Sequence, residues 1–325
     1  MRRRSVLIIT AAAAAALGAM TLRNSQQGAG LGPAVGIRPA AAATVSLPVK
    51  EEQPLNRSGR RYPLVPDSAV ETAALLVAVE EALRDPATPP DELPDLGHQQ
   101  QVIYRVLSSA PGRADQVLAS LPSRWRSVAE RHLAARREFL RMSRGRGPST
   151  LPAWRIIQPE PAERLLSHYR KAEAATGIEW EVLAAVNLVE TGMGRIDGVS
   201  VANAQGPMQF LPTTWAEPGI GQGDIRDPED AIHAAARYLV RRGGLKDIRR
   251  GLWGYNNSDY YGRAVLLYAS LMREDPRAYH GLYHWEIHFN ANAGDLWLPV
   301  GYSQNRSIGV QEYLKANPAS RSPNR

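Results

Sequence analysis

The stretch TGIEWEVLAAVNLVETGMG, residues 176–194, decides how this chain is read. Thr176-Gly-Ile-Glu179 has the spacing of a capping box, and the apolar run behind it predicts a helix over 178–189. At about 100° per residue, Glu190 falls on the stripe of Leu183 and Val186, so its carboxyl group is expected against the protein interior. Gly192 and Gly194 are residues that stop a helix, which puts Glu190 at the negative end of the helix dipole. Burial and the dipole both disfavour the charged form and raise the pKa. A carboxyl group that keeps its proton near neutral pH suits the protonation of a leaving glycosidic oxygen.

The flanking segments read as helical too. Upstream, 68–147 carries one apolar stripe at Ala74, Leu75, Val79 and Leu83, a second helix over 96–107 and a third over 125–142. Arg124, Arg126, Arg131, Arg136, Arg137, Arg141, Arg144 and Arg146 punctuate the third. They form either a basic face for an anionic polymer or an ordinary solvated helix surface. Downstream, Asp227-Pro228 caps a helix that runs to Arg242 ahead of Gly243-Gly244, and another begins near Ser258-Asp259 with Val265, Leu266, Tyr268, Ala269 and Met272 as packing residues. Alternating strand patterns are few, so β-structure is expected as a short hairpin within 197–206 or near the C-terminus.

The chain has 325 residues, enough for one large or two modest domains. Its net charge of +7 favours acidic surroundings without choosing among nucleic acid, anionic lipid and anionic wall polymer. It has no cysteine, which excludes a disulfide framework, a zinc–thiolate site and a cysteine nucleophile. Arg2-Arg3-Arg4 followed by an apolar run over 6–22 reads as a signal peptide or an N-terminal membrane anchor, so the protein is expected to be exported. No cysteine follows it, which excludes a lipoprotein. Residues 23–67, rich in Gly, Pro, Ala and Ser, read as a flexible linker. Nothing in the arginine-rich helix resembles an RNA- or DNA-binding signature.

Three motifs occur in order: Glu190-Thr-Gly-Met-Gly194, Gly206-Pro-Met-Gln-Phe210 and Gly254-Tyr-Asn-Asn-Ser258. With Leu211-Pro-Thr-Thr-Trp215 and Asp227-Pro-Glu-Asp-Ala-Ile232, they make the chain resemble the lytic transglycosylases of the goose-lysozyme-like (SLT) superfamily, most closely the membrane-bound lytic murein transglycosylase B type of actinobacteria. The resemblance covers roughly 154–272. It implies a mainly α, lysozyme-like catalytic domain over 151–310, preceded by a helical segment over 68–150 that packs on it and followed by a tail over 311–325. It also implies that Glu190 is the sole acid/base, cleaving the bond between N-acetylmuramic acid and N-acetylglucosamine without water to leave a 1,6-anhydro ring. One carboxylate suffices where the substrate's N-acetyl group stabilises the oxocarbenium-like centre. In the cleft so implied, Gln209 meets N-acetyl and hydroxyl groups, Met208 packs beneath the sugar, Tyr255 hydrogen-bonds the catalytic carboxyl beside Asn256, and Ser200 lines the wall.

Thr191 replaces the commoner serine and keeps a hydroxyl. Asn203 stands where relatives have glycine, and asparagine tolerates left-handed backbone best after glycine. Ser258 is common in the B-type branch. With no aspartate-rich calcium loop and no His-Glu-x-x-His motif, no metal and no cofactor are expected. The expected partners are peptidoglycan glycan strands, with membrane attachment through the N-terminus, no nucleic acid and a monomeric state. Two readings compete: a muramidase using water, with Asp197 or Asp224 as base, and a non-catalytic peptidoglycan-binding module.

Overall fold

The computed structural model describes residues 44–142 and 147–324. The signal or anchor segment at 1–22, the first part of the linker, and Arg144 and Arg146 lie outside them. The fold is mainly helical, as expected. Four helices come first: α1 (Ala69–Ala82), α2 (Leu93–Ser109), α3 (Pro111–Ser120) and α4 (Ser123–Met142). The second group is α5 (Ala162–Thr176), α6 (Trp180–Thr191), the short α7 (Pro212–Trp215), α8 (Pro228–Arg241), α9 (Ile248–Asn256) and α10 (Asp259–Glu274). Then come α11 (Ala278–Tyr283) and α12 (Val310–Ala316). The strands form three antiparallel pairs: β1 (Thr150–Leu151) with β6 (Ile308–Gly309), β2 (Arg155–Ile156) with β3 (Ile196–Asp197), and the hairpin of β4 (Ile287–Ala291) with β5 (Gly294–Leu298).

Helix α6 is the centre of the molecule. Every residue from Trp180 to Thr191 is buried, so it has no solvent face. It packs against α5, α8 and α10, and α10 in turn lies along α4, so one apolar core runs through both helical groups. Full burial explains the composition of α6, which is apolar all round rather than amphipathic. The capping box expected at its start does not form. Thr176 is the last residue of α5, its hydroxyl donates back to the Ala172 carbonyl, and Gly177 closes α5 in the left-handed conformation at φ 79°. Helix α6 starts two residues late as a result, with no side-chain cap.

Two other expectations are corrected by packing. The linker is not free from residue 44 onward: Tyr62 and Val65 are buried in the main core, and Val45 and Leu47 cover the outer side of α1. This is why α1 is apolar on both sides, with Leu76 in the main core and Val79 and Leu83 in a smaller cluster under the covering segment. The tail over 311–325 is also packed. Helix α12 and Tyr313 close a second small core with Leu298 and Tyr302, and Asn324 Nδ2 donates to the Pro63 carbonyl at 2.9 Å.

The arginines of α4 do not make one basic face. Arg126 donates to three carbonyls that end α3, Arg131 pairs with Glu274 at 2.7 Å, Arg141 pairs with Glu138, and Arg136 is buried. The expected helices over 96–107, 125–142 and 227–242 are α2, α4 and α8. Asp227 caps α8 through the Asp230 amide at 3.0 Å. The hairpin near the C-terminus is β4–β5.

Candidate active site

Glu190 sits in the last turn of α6, 6% exposed, just before the helix ends at Gly192 with φ 62°. Its Oε1 accepts a hydrogen bond of 2.8 Å from the Tyr261 hydroxyl. Burial pushes its pKa up to about 7, and the Tyr261 bond, which favours the charged form, opposes that in part. The carboxyl group is therefore half-protonated near neutral pH.

Tyr261, not Tyr255, holds the carboxyl. The Tyr255 hydroxyl donates instead to the Met208 carbonyl at 2.8 Å, and the two rings stack with centroids 6.3 Å apart and planes 4° apart. Both phenols are raised well above 10, first by burial and then by the Glu190 charge, so both stay neutral donors. Tyr255 lies in the last turn of α9 and Tyr261 in the first turn of α10. The Ser258 cap between them, which accepts from the Tyr261 amide, sets the angle that brings both rings to one carboxylate. Tyr261 was legible in the sequence: with Val265, Tyr268 and Met272 it completes the stripe i, i+4, i+7, i+11, so it had to face the core.

The second motif is tied to the first through buried hydroxyl and amide groups. Thr191 Oγ1 donates to the Pro207 carbonyl at 2.6 Å and accepts from the Gly194 amide at 3.0 Å. Asn187, one turn earlier, donates from Nδ2 to Met208 Sδ at 3.1 Å. Neither residue was singled out for this bracing role. Gly206 is at φ 73°, and a Cβ there would lie 1.8 Å from the Ile225 carbonyl oxygen. No other residue fits that position.

The expected cleft residues are distributed as follows. Met208 is fully buried and fills the core beneath the turn. Gln209 is half-buried at φ 49°, and its Nε2 donates to the Gly206 carbonyl at 3.0 Å, a turn-stabilising contact. Asn256 is half-buried at the end of α9, and Asn257 beyond it takes the left-handed cap. Ser200 Oγ accepts from the Ala202 and Ala204 amides at 3.2 and 2.9 Å, so it shapes its own loop. Asn203 is left-handed at φ 64°, as its place required. Met193, Asn203, Gln209 and Asn257 are the non-glycine residues at positive φ among those described; three lie inside the motifs and Asn203 lies just ahead of the second.

Asp197 is bound on both sides, to Arg155 and to Arg226 at 3.5 Å. Asp224 Oδ1 accepts from the Arg226 amide at 2.8 Å. Burial and the Tyr261 bond account for the Glu190 shift, and both aspartates have their hydrogen bonds elsewhere. Among the described residues there is no group of side chains arranged to hold a metal ion, and no helix is long and apolar enough to cross a membrane.

Residues 167–260 match the transglycosylase SLT domain, a span that contains Glu190, Gln209 and Tyr255 and stops one residue short of Tyr261. The membrane-bound lytic murein transglycosylase F of Thiobacillus denitrificans is 26% identical over 146 residues, which is 45% of this chain and 30% of that protein. The chain thus spans under a third of the length of the curated relative it matches. No solved structure matches the chain. The stretch that resembles the transglycosylase SLT domain, residues 167–260, thus holds all three motifs of the site.

Proposed function

We propose that the protein is a peptidoglycan lytic transglycosylase, exported to the cell envelope and held at the outer face of the cytoplasmic membrane through its N-terminal segment. The observation that carries this reading is the buried carboxyl group of Glu190, poised near pH 7 with Tyr261 as its hydrogen-bond donor. A hydrolase with two carboxylates needs its second one across the scissile bond to activate water. The nearest candidate, Asp197, is engaged by two arginines.

The reaction follows from that arrangement. Protonated Glu190 gives its proton to the oxygen between N-acetylmuramic acid and N-acetylglucosamine as that bond breaks. The positive character at the muramyl C1 is met by the substrate's own N-acetyl oxygen. Glu190, now a carboxylate stabilised by the Tyr261 hydroxyl, takes the proton from the muramyl C6 hydroxyl. The C6 oxygen closes on C1, giving a 1,6-anhydro ring, and Glu190 is protonated again. The same pKa serves both steps, because a group near 7 is neither too weak an acid nor too weak a base. Gln209 and Asn256, half-buried at the motifs, present amide groups to N-acetyl and hydroxyl groups. The B-type likeness read from Ser258 belongs to this proposal.

The test is the mass of the products released from intact peptidoglycan. Muropeptides lighter by one water than their reducing-end counterparts are expected. Hydrated reducing ends would move the assignment to a muramidase, and no release from several wall preparations to a binding module.

A further inference from the structure

Behind the Glu190 helix lies a cavity of about 90 Å³ between α4, α6 and the β4–β5 hairpin. Leu188 and Trp285 give it apolar walls, and the half-buried Trp154 and Phe289, in edge-to-face contact, are among its least enclosed side chains. Into it project two buried guanidinium groups, Arg105 and Arg136. Arg105 is neutralised by Asp295, which also accepts from Tyr62 at 2.9 Å and lies 3.1 Å from His288 Nδ1. Glu286, which lines the cavity itself, is paired with Arg60 at 2.6 Å. Arg136 differs: Nε donates to Ser108 Oγ at 3.2 Å, and it forms no ion pair among the described residues. Burial and the nearby Arg105 push its pKa down to about 9, with Asp295 opposing them in part, so it is still a cation at neutral pH. His288 is held down to about 4 by burial and adds no charge there.

Two buried cations, Arg105 and Arg136, thus share one carboxylate, Asp295, and a buried charge in excess is costly, so an anionic ligand would be favoured there. A guanidinium presents paired N–H donors that match a carboxylate. The cavity has room for several waters, which fits a carboxylate on a small body. Its position also bears on the occupant. Tyr268 lines it, seven residues along α10 from Tyr261, about 10 Å at 1.5 Å per residue. That span is about three residues of extended peptide.

We propose that this cavity is a carboxylate-binding site that takes the small C-terminal residue of a short peptide, its carboxylate on Arg136 and its side chain against Leu188 and Trp285. The assignment of that peptide to the wall rests on the transglycosylase reading; the site itself does not. A peptide borne by the glycan and a free acylamino acid offer the same group, and binding strength separates them.

The probe is N-acetylalanine, with N-acetylalanine amide as control, titrated into the full chain while the melting temperature is followed. A saturable upward shift is expected with the acid and none with the amide. Arg136→Met should abolish the shift and melt no lower than the parent without probe, since it removes an unpaired charge. Arg136→Gln, which can still donate a hydrogen bond, is the second variant should Arg136→Met fold poorly. In the Glu190→Gln protein, a disaccharide–peptide ending in a free carboxylate should bind at least tenfold tighter than N-acetylalanine, with that excess lost in the Arg136 variant. Equal binding of the two would make the free acid the ligand. No shift with the acid, or a shift that survives both Arg136 substitutions, overturns the site. An active enzyme that ignores N-acetylalanine refutes the cavity alone, and an inactive protein that binds it refutes the transglycosylase alone.

Discussion

Replacing Glu190 by Gln should make the protein more stable above neutral pH and leave its stability almost unchanged at pH 4. Gln keeps an oxygen where Oε1 accepts from Tyr261, so the hydrogen bond and the packing survive while the charge is removed. In the parent, the folded carboxyl has a pKa of about 7 against 4.5 for an unshifted glutamate. Below 4.5 both folded and unfolded chains hold the proton and nothing is lost. Between 4.5 and 7 the unfolded chain releases it first, so parent stability falls as pH rises, and the loss is complete above 7. At about 1.4 kcal/mol per pH unit, that displacement amounts to about 3 kcal/mol. At about 2 °C per kcal/mol for a chain of this size, the variant should melt about 6 °C higher than the parent at pH 8. The assay is a pair of thermal or denaturant melts at pH 4 and pH 8. A difference between variant and parent that is the same at both pH values would show that the carboxyl is not held protonated by burial. The same melts accompany an activity assay in which the variant releases no muropeptides.

Turnover should fall as pH rises through about 7, because the first step needs the protonated form of Glu190; a profile flat from pH 5 to 9 would remove it as the acid. Tyr261→Phe deletes the bond that favours the charged form, so the alkaline limb should move to higher pH while the rate drops about 10²-fold. Tyr255→Phe frees only the Met208 carbonyl and should leave that limb in place. Asp197→Asn should keep the anhydro product and at least a tenth of the activity, whereas a hydrolase using Asp197 as base would lose several orders of magnitude. Thr191→Val leaves the buried Pro207 carbonyl with only the longer 3.4 Å bond from Asn187 Nδ2 and the Gly194 amide without its acceptor, and should cost about 1–3 kcal/mol in chemical denaturation, with Thr191→Ser recovering most of it.

The motifs were legible because each needs a residue type that only one backbone or chemical setting tolerates. Glu190 on an apolar stripe ahead of two glycines, Gly206 opening a turn, Asn203 in a left-handed position and Asp227-Pro228 starting a helix are all local statements, and the chain writes local preferences directly. The mainly helical fold followed for the same reason, from periodicity and caps. Which tyrosine reaches the carboxyl did not. Tyr255 and Tyr261 lie six residues apart on two helices, and the angle between α9 and α10 decides that one phenol donates to Glu190 and the other to the Met208 carbonyl. Thr176 was misread because a cap spacing has the same appearance at the end of one helix as at the start of the next, and the hydroxyl's choice of the Ala172 carbonyl depends on α5 being packed.

By itself, then, the sequence determined the helical class, the place of Glu190 at the end of its helix and the motifs around it, since these depend on spacing along the chain. The tertiary structure decided the rest: that residues 44–67 are packed rather than free, that Asp197 is paired with Arg155 and Arg226, and that Arg136 is buried with no ion pair among the described residues. Arg155 and Asp197 are 42 residues apart, and Arg136 meets the hairpin across 150 residues of chain. Whether a charged side chain is solvated, paired or left alone depends on what folding brings to it, and no window of sequence contains that information.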